Sequence, residues 1–569
     1  MEFMRIFSAI IFCISTLTVA AQNAVPELPN LPVSPISQSD IDKLLENDTA
    51  QAWGEYAEKT RAKTLDLALK QLYPEAAGWL YVYKAADLFS KEGASLHTAV
   101  KRAMLSDIPA LCDFFEQIKP EDNLEGVCKT LAQIHQIYPD NFKKYLRSAY
   151  AVALVYDVPP PGGWPNCGTP SDPVPMSQAE ETFNIFTEDP NTFVFPMDKL
   201  TVGELIWIFG IGGPLDELRG LKNTSIAPFA IEKLAHSIKT DKSRIENGVF
   251  ADWDTSEREF TPKNIIKYGG SDTEKVYCAW RIANANGIPC LFFREGKQVW
   301  LTYMSRPGVW KRDVARNAKA KHLFGRPLDP QTWKTSQKFD IDMLARRHIT
   351  TETGIFSRVF LEISRMLYDA GKYNDAAIFA DKARKENPEN WEAYIAFISA
   401  RARFGASQSE LDSYWHKSYE AFRRYPDMCI AMLNFYRQNL IALRRGKEAD
   451  RLLTAEMRGV MRTDTGLGID IYANQISDMF ARADDKTEIL PAYQDIVRNS
   501  TSCPDECLRK ITTPLAKLFV SVEDYRSANK VVSMFVSATR DNLSKSRAEK
   551  LRETLTPPKS EKSEKKEEK

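Results

Sequence analysis

The sequence predicts the α+β fold class, in the form of a mainly helical multi-domain chain with one small α+β core and a C-terminal α/α repeat-like array. Apolar residues recur at spacings of three and four over long stretches, which is the period of an amphipathic helix. Between about 250 and 330 the pattern changes to one long helix followed by short β-like runs. After 351 the helical pattern returns and becomes repetitive, which indicates an array of helical hairpins.

Composition and charge limit the partners to be expected. The chain has 569 residues, of which 43% are hydrophobic, so it is long enough to bury several separate cores. Lysine plus arginine number 76, and aspartate plus glutamate also number 76. This balance gives no basic surface for nucleic acid, and we expect no nucleic-acid partner.

The first residues predict export. Residues 1–21 contain Arg5, an apolar run from Ile6 to Val19, and the small residues Ala20 and Ala21, which together are typical of a secretory signal. An N-terminal membrane anchor, the alternative, would need a longer apolar run. We therefore expect an exported protein, periplasmic or secreted, without a membrane span.

Export would place the cysteines where disulfides persist. Cys503 and Cys507 are separated by Pro-Asp-Glu; this spacing predicts a local disulfide, with plain thiols as the alternative. A zinc site would need a C-x-x-C pair with further ligands. The histidines are scattered, and no phosphate loop or dinucleotide fingerprint is present. We expect no metal and no cofactor.

Proline-rich stretches mark the first boundaries. Residues 22–37 are rich in proline and predict a linker. Residues 38–158 have helical apolar spacings and are predicted to form an N-terminal helical domain. It ends at Pro159, which two more prolines and two glycines follow.

The next segments follow from changes in pattern. Residues 159–250 are predicted as a loop and a helical lead-in, where Thr201 and Glu204 have the spacing of a capping box. Three further segments are predicted beyond it: the α+β core at 251–350, the helical array at 351–545, and a charged disordered tail at 546–569.

The array contains one fair copy of a known repeat. Gly405 follows Gly371 at 34 residues, the period of the tetratricopeptide repeat. Within 355–388 the residues at that repeat's offsets are Gly371, Tyr373, Ala376, Ala383 and Pro388. Later copies drift, and Tyr525 with Ala528 recovers only a fragment. We predict a degenerate tetratricopeptide-like array, with an ordinary all-helical domain as the alternative.

The segment YGGSDTEKVYCAWRIANANGIPCLFFREGKQVWLTYMSRPGVWKRD, residues 268–313, resembles the core of the transglutaminase-like (papain-type) superfamily. The resemblance is to large exported bacterial proteins of that kind and covers about 130 to 330, with weaker flanks. In that family, Gly-x-Cys opens a helix that ends at Gly-Ile-Pro, and two strands then carry His-Ala-Trp and a Trp that precedes Asp. The corresponding residues here are Gly270-Ser271-Asp272, Gly287-Ile288-Pro289, Gln298-Val299-Trp300, Trp310 and Asp313.

The resemblance implies that catalysis has been lost. A cysteine at a helix start is favoured as thiolate, and a histidine on the next strand exchanges the proton. Asp272 and Gln298 stand at these two positions, and only Asp313 keeps its residue type. A carboxylate is a poor acyl acceptor and an amide has no titratable nitrogen, so these three are vestigial triad positions. Cys278, Cys290 and His322 are predicted to be structural rather than replacement catalysts.

Each of these residues also has a structural interpretation. Ser271 and Glu274 have capping-box spacing, so Asp272 can belong simply to the first turn of a helix. Gln298 can hydrogen-bond Asp313 across the sheet. Trp300, Trp310 and Tyr277 are candidate binding residues, with packing as the alternative.

Three hypotheses for function follow. In the first, a non-catalytic domain binds peptide or a cell-envelope polymer and acts as a scaffold module, a pseudoenzyme with a protein or peptide partner. In the second, the protein is a hydrolase of altered mechanism that acts on peptide or glycan with Asp272 as general base. In the third, the core is a spacer and the helical repeat does all the binding.

Overall fold

The computed structural model describes a set of separate stretches of the chain. These are residues 32–158, 179–210, 215–222, 226–246, 249–251, 253, 260–295, 298–312, 329–332, 336, 351–463 and 465–555. The predicted signal sequence, most of the predicted linker and residues 556–569 of the predicted tail lie outside the described residues. The chain divides into two compact units, Met1–Gly405 and Ala406–Lys569. Throughout the described stretches, no helix is both long and apolar enough to cross a bilayer.

The first unit begins with a run of helices where the apolar spacing predicts them. Their bounds are α1 Gln38–Glu46, α2 Ala50–Leu69, α3 Tyr73–Ser90, α4 Thr98–Ser106, α5 Ile108–Gln117, α6 Leu124–Ile137, α7 Pro139–Lys144 and α8 Leu146–Val155. Side-chain caps define several starts; the Thr49 hydroxyl, for example, accepts the Ala52 N–H at 3.2 Å. The inward faces form one core, in which Trp53, Leu80 and Phe89 are buried.

A second group of helices leads to the small sheet. Their bounds are α9 Ala179–Thr187, α10 Val202–Phe209, α11 Leu215–Lys222, α12 Ile231–Ser237, α13 Pro262–Tyr268 and α14 Asp272–Ala285. The capping box predicted at Thr201 and Glu204 is confirmed: the Thr201 N–H donates to Glu204 Oε2 at 3.0 Å, and Glu204 N–H donates back to the Thr201 hydroxyl at 3.1 Å.

The described strands form two small antiparallel sheets. One is the two-residue pair β1 Ile245–Glu246 and β2 Val249–Phe250; the other has the order β3 Cys290–Glu295, β4 Gln298–Arg306 and β5 Val309–Arg312. Cys290 lies opposite Tyr303, and Met304 lies opposite Trp310. Helix α14 packs on β3 and β4, and the Trp280 indole N–H donates to the Cys290 carbonyl at 3.0 Å. The β-like runs predicted after the long helix are thus confirmed as one sheet.

Three helices complete the first unit: α15 Glu352–Asp369, α16 Tyr373–Glu386 and α17 Trp391–Arg403. Helix α15 packs against α2 and α3, although these elements lie far apart in sequence. The Tyr73 and Phe360 rings meet edge to face with centroids 4.8 Å apart, and Lys382 Nζ donates to the Tyr73 hydroxyl at 2.6 Å. Two hairpins from distant parts of the chain therefore share one core.

The second unit is helical throughout its described residues. Its α-helices are α18 Gln408–Ala421, α19 Pro426–Ala442, α20 Gly446–Thr463, α21 Thr465–Arg482, α22 Leu490–Asn499, α23 Pro504–Cys507, α24 Thr513–Ser521, α25 Tyr525–Ala538 and α26 Asn542–Glu553. A π-helix, Leu508–Thr512, joins α23 to α24. Pro514 lies just beyond it and has no N–H to continue the α-helical ladder.

The same three-residue turn recurs in four described hairpins: α2–α3, α15–α16, α19–α20 and α24–α25. Its middle residue is left-handed in each hairpin: Gln71 (φ 65°), Gly371 (φ 73°), Arg444 (φ 60°) and Glu523 (φ 60°). The residue after it donates its N–H to a carbonyl five residues earlier, as Lys372 does to Leu367 at 2.9 Å, which closes a Schellman-type helix end. A buried alanine lies in the first turn of the second helix: Ala76, Ala376, Ala449 and Ala528.

The recurrent turn bears on two predictions. It confirms the repeat-like helical character at the level of the hairpin and extends it to α2–α3, which is predicted to belong to a separate helical domain.

At the C-terminus the helical region extends further than predicted. Helix α26 runs to Glu553, inside the stretch 546–569 predicted as disordered. Ala548 and Leu555 are buried there, so this part of the supposed tail has apolar contacts that order it. The predicted domain boundaries at 158, 250 and 350 stay predictions.

Candidate functional site

The start of α14 is where the sequence predicts the vestigial catalytic position. Ser271 is the N-cap, and the capping box with Glu274 is confirmed by its two reciprocal hydrogen bonds. Asp272 is the first helical residue; its side chain is 84% exposed and pairs with Lys275 Nζ at 3.0 Å. An exposed ion pair of this kind contributes little to stability, so Asp272 behaves as a surface residue of a helix start.

Glu274 is the carboxylate that this helix start depends on. It is 8% exposed and accepts the Ser271 N–H at 2.6 Å and the Trp253 indole N–H at 2.8 Å. Its remaining partner is the Arg244 guanidinium, in a buried ion pair. Arg244 lies 4.3 Å from the centroid of the Trp253 ring, a cation–π contact that fixes the pair. The site is a structural ion pair that joins α14 to the chain before it.

The other two triad positions are described less fully. Gln298 lies at the start of β4 opposite Glu295, and Trp300 lies opposite Phe293. The side chains of Gln298 and Trp300, and all of Asp313, lie outside the described residues. The predicted Gln298–Asp313 hydrogen bond therefore stays a prediction. His322 is also outside the described residues.

Of the candidate aromatic residues, Tyr277 and Trp310 have different surroundings. Tyr277 is buried between Phe260 and Trp280, with ring centroids at 5.0 and 6.0 Å. This arrangement is core packing. Trp310 lies on the edge strand β5, partly buried, and its indole nitrogen has no hydrogen-bond partner among the described residues.

Cys278 and Cys290, the two cysteines weighed as replacement catalysts, are both buried. Cys278 Sγ lies 3.5 Å from the Pro262 carbonyl, and burial raises the pKa of its thiol, which disfavours the reactive thiolate. Cys290 is buried in the sheet. The predicted disulfide between Cys503 and Cys507 stays a prediction. Burial raises the pKa of Cys507 to about 11.

A larger group of charged residues lies where the hairpin α2–α3 meets the hairpin α15–α16. We call it the charged seam and define it as Lys84, Glu116, Arg358, Glu362, Arg365 and Glu392. They come from α3, α5, α15 and α17. Arg358, Glu362 and Arg365 follow one another at helical spacing on α15, so that one face of this helix is charged where it meets its neighbours.

Glu116 is the most buried member of the charged seam, with 5% of its side chain exposed. It accepts the Tyr81 hydroxyl at 2.9 Å and lies 3.8 Å from Lys84 and 3.5 Å from Arg358. The two cations therefore stand on either side of one carboxylate. Because these cations belong to α3 and α15, the Glu116 carboxylate links the hairpin α2–α3 to the hairpin α15–α16 through ion pairs.

The outer members of the charged seam are more accessible. Glu392 accepts Arg358 at 2.7 Å and Arg365 at 3.3 Å, and the two arginines are 32% and 46% exposed. Burial alone would raise the pKa of Glu362, but Lys84 and Arg365 hold that pKa below its usual range. The group thus holds three cations and three anions in fixed positions, and Arg365 is the most accessible of them.

Comparison with known proteins identifies no family for this chain. No protein-family profile matches the chain, and no curated protein matches it. Among solved structures, the crystal structure of yeast Tom70 matches with 12% sequence identity, covering 88% of this chain and 96% of that chain, at a TM-score of 0.17. At that score the two structures do not share an overall superposition, and the match supports no inference about function.

The predicted membership of the transglutaminase-like superfamily is wrong. No family profile matches, and the described chain is helical nearly throughout, with one three-stranded sheet and one two-residue strand pair. The motif residues have local roles that explain the misleading pattern: Ser271 caps α14, and Gly287 takes the left-handed φ of 73° that ends the helix. Without that family, Asp272 and Gln298 replace nothing, and they are no sign of lost catalysis.

Proposed function

We propose that this protein is a non-catalytic scaffold whose stacked helical hairpins bind an extended segment of a partner protein at the charged seam. The observation that carries the proposal is the pre-arranged set of charges across α3, α5, α15 and α17, which includes side chains that are between 22% and 46% exposed. Charges held in place before binding lose little conformational freedom when a partner arrives.

The composition of the charged seam favours a particular partner. Arg365 and Glu392 are the most accessible cation and an accessible anion, and they lie 3.3 Å apart. A partner segment with both acidic and basic side chains could exchange ion pairs with both. Complementary charges of this kind set specificity and association rate more than affinity. A protein segment therefore suits the site better than an uncharged polymer.

Selection from a displayed library of linear peptides against the full chain tests this function. We expect selected peptides to carry residues of both charges and to lose at least about tenfold in affinity for Arg365→Glu, because a reversed charge repels what the arginine attracted. Lys385→Glu is the matched control, since Lys385 lies on the same hairpin, is 72% exposed and pairs with Asp381 outside the charged seam. Peptides that bind Arg365→Glu and the parent equally would contradict the proposal.

The hydrolase hypothesis has less support from the geometry. Asp272 is 84% exposed and ion-paired with Lys275 at 3.0 Å, which is the setting of a solvated surface carboxylate. Among the three hypotheses, binding by the helical hairpins is the one this arrangement favours.

The export predicted from residues 1–21 is part of the same proposal, and it would place the partner outside the cytoplasm. N-terminal sequencing of the protein purified from its native host tests it. We expect the mature chain to begin near Gln22. A chain that retains Met1 would contradict export with cleavage.

A further inference from the structure

A cavity of about 260 Å³ opens between α1 and α2, and none of its lining residues belongs to the charged seam. Its apolar lining includes Leu44 from α1 together with Ala52, Trp53 and Tyr56 from α2. Two lysines, Lys43 and Lys59, and one carboxylate, Glu55, also line it. The volume approaches that of pockets which hold small organic ligands in proteins.

The aromatic floor of the cavity is rigid. Trp53 is 2% exposed, and its indole N–H donates to Asp48 Oδ1 at 2.7 Å. Asp48 in turn accepts the Thr98 hydroxyl at 2.8 Å and Lys101 Nζ at 2.5 Å. The Trp53 ring also meets the Tyr56 ring edge to face, with centroids 6.1 Å apart. Because these contacts already fix the Trp53 side chain, it loses little conformational entropy when an apolar group binds against it.

The charged residues that line the cavity are two cations and one anion, which leaves an excess of positive charge for an anionic ligand. Lys43 and Lys59 form no ion pair among the described residues, although the Ser37 hydrogen bonds and, to a smaller extent, Lys43 lower the pKa of Asp40, and the charged Glu55 shares the lining. Glu55 accepts the Gln51 side-chain amide at 3.0 Å, and Asp40 accepts the Ser37 N–H at 3.0 Å and its hydroxyl at 2.7 Å. The 20-residue helix α2 also begins beside the cavity, which adds the positive end of its dipole.

We propose that this cavity binds a carboxylate carried on an aromatic or other apolar group, with the apolar part on Trp53 and Tyr56 and the carboxylate between Lys43 and Lys59. Two sources present this chemistry: the C-terminal residue of a polypeptide, and a free aromatic acid. A group of about eleven non-hydrogen atoms in such a site would bind with a Kd on the order of 1 mM.

Isothermal titration of the full chain with three probes tests the proposal. The probes are 3-phenylpropanoate, the peptide acetyl-Gly-Gly-Phe with a free carboxylate, and the same peptide with a C-terminal amide. We expect at least one acid to bind and the amide to bind about tenfold or more weakly, because it lacks the charge. Binding of the free-carboxylate peptide alone assigns the site to polypeptide ends, and binding of 3-phenylpropanoate alone assigns it to free acids.

Three variants make the test specific to this cavity. The double change Lys43→Met and Lys59→Met should weaken binding of the acids about tenfold, while Ala52→Leu should abolish it by filling the space with a residue that α2 tolerates. Lys70→Met, at the other end of α2 and paired with Asp66, should change nothing. Equal binding of the acid and the amide peptide, absence of saturable heat with both acids, or an equal effect of Lys70→Met would overturn the proposal.

Discussion

Individual residues with left-handed backbone angles control how the hairpins turn. Gly371 takes φ 73° without cost, whereas Gln71, Arg444 and Glu523 take φ of 65°, 60° and 60° with a Cβ in place. A side chain at such angles costs roughly 1–2 kcal/mol through contact with the following carbonyl. The neighbouring hydrogen bonds and the packed helices hold these residues there despite the cost.

Glycine at these positions should therefore stabilise the hairpins. We expect Gln71→Gly and Glu523→Gly each to raise the free energy of unfolding by about 0.5–1 kcal/mol, with part of the gain offset by the greater freedom of the unfolded chain. Gly371→Ala should cost about 1 kcal/mol for the opposite reason. Urea unfolding followed by circular dichroism measures these changes. Lys70→Gly, one residue before the left-handed position, is the control and should not stabilise; a similar gain there would contradict the explanation.

Asp122 is a half-buried carboxyl whose ionisation should make stability depend on pH. Burial raises its pKa to about 7, and the nearby Asp157 carboxylate adds to the rise. Hydrogen bonds from the Lys119 N–H and the Gln331 amide, both at 2.7 Å, oppose it. The folded state therefore keeps a proton that the unfolded state releases near pH 4. This contribution to stability is complete below about pH 4 and is lost as the pH rises through 7.

Replacing Asp122 by asparagine should remove this loss. The amide oxygen can accept both hydrogen bonds, and no charge has to be buried. We expect Asp122→Asn to raise the free energy of unfolding by about 2 kcal/mol at pH 8 and by little at pH 4. Urea unfolding at the two pH values measures the difference. Asp140→Asn, at an exposed position on α7, is the control, and the same pH profile for parent and Asp122→Asn would refute the assignment.

At the scale of elements, the start of α14 has two carboxylates of unequal importance for stability: Asp272 and Glu274. Removing Glu274 leaves the Trp253 indole N–H without its acceptor and leaves Arg244 with Asp241 at 3.4 Å and the Ala251 carbonyl at 3.2 Å. Breaking a buried ion pair costs about 3–5 kcal/mol, and these remaining partners place the cost near the lower end. We expect that loss for Glu274→Ala. Asp272→Asn should change stability by less than about 0.5 kcal/mol, because the side chain is 84% exposed.

Thermal unfolding of Glu274→Ala and Asp272→Asn beside the parent shows which carboxylate contributes to stability. A large loss for Asp272→Asn, or a small one for Glu274→Ala, would mean that the helix start is held by other contacts. Glu274→Gln adds a useful comparison, because it keeps a side-chain oxygen for the Ser271 N–H while it removes the charge opposite Arg244.

Elements were predictable where their signals are local. The capping boxes at Thr201 and Ser271 use residues three positions apart, and the sequence alone placed both. The left-handed turns at Gln71, Arg444 and Glu523 lack the glycine that marks such a turn, so only the hairpin at Gly371 was recognised. The superfamily resemblance failed for a related reason, since its motif consists of a helix cap, a helix end and strands that unrelated folds also use.

At the scale of the whole molecule, the first unit is closed by hairpins from its two ends. Tyr73 and Lys84 on α3 meet Phe360 and Glu362 on α15, and the charged seam forms only when both hairpins are present. No spacing in the sequence relates residues some 280 positions apart. The fold, and not a local pattern, creates this group of charges, which is why sequence analysis placed the candidate site elsewhere.

This closure predicts where the chain can be cut. A protein of residues 32–405, which ends where the first compact unit ends, should unfold cooperatively with a helical circular dichroism spectrum. Residues 32–350 lack α15–α17, so Glu116 loses Arg358 and the Tyr73 ring loses Phe360. We expect this shorter protein to aggregate or to unfold at a midpoint lower by about 10 °C or more, because a charge and apolar surface are both uncovered. Size-exclusion chromatography and thermal scans measure both outcomes. An equal midpoint for the two proteins would show that the N-terminal helices are stable without the second hairpin, and the charged seam would then be a surface contact only.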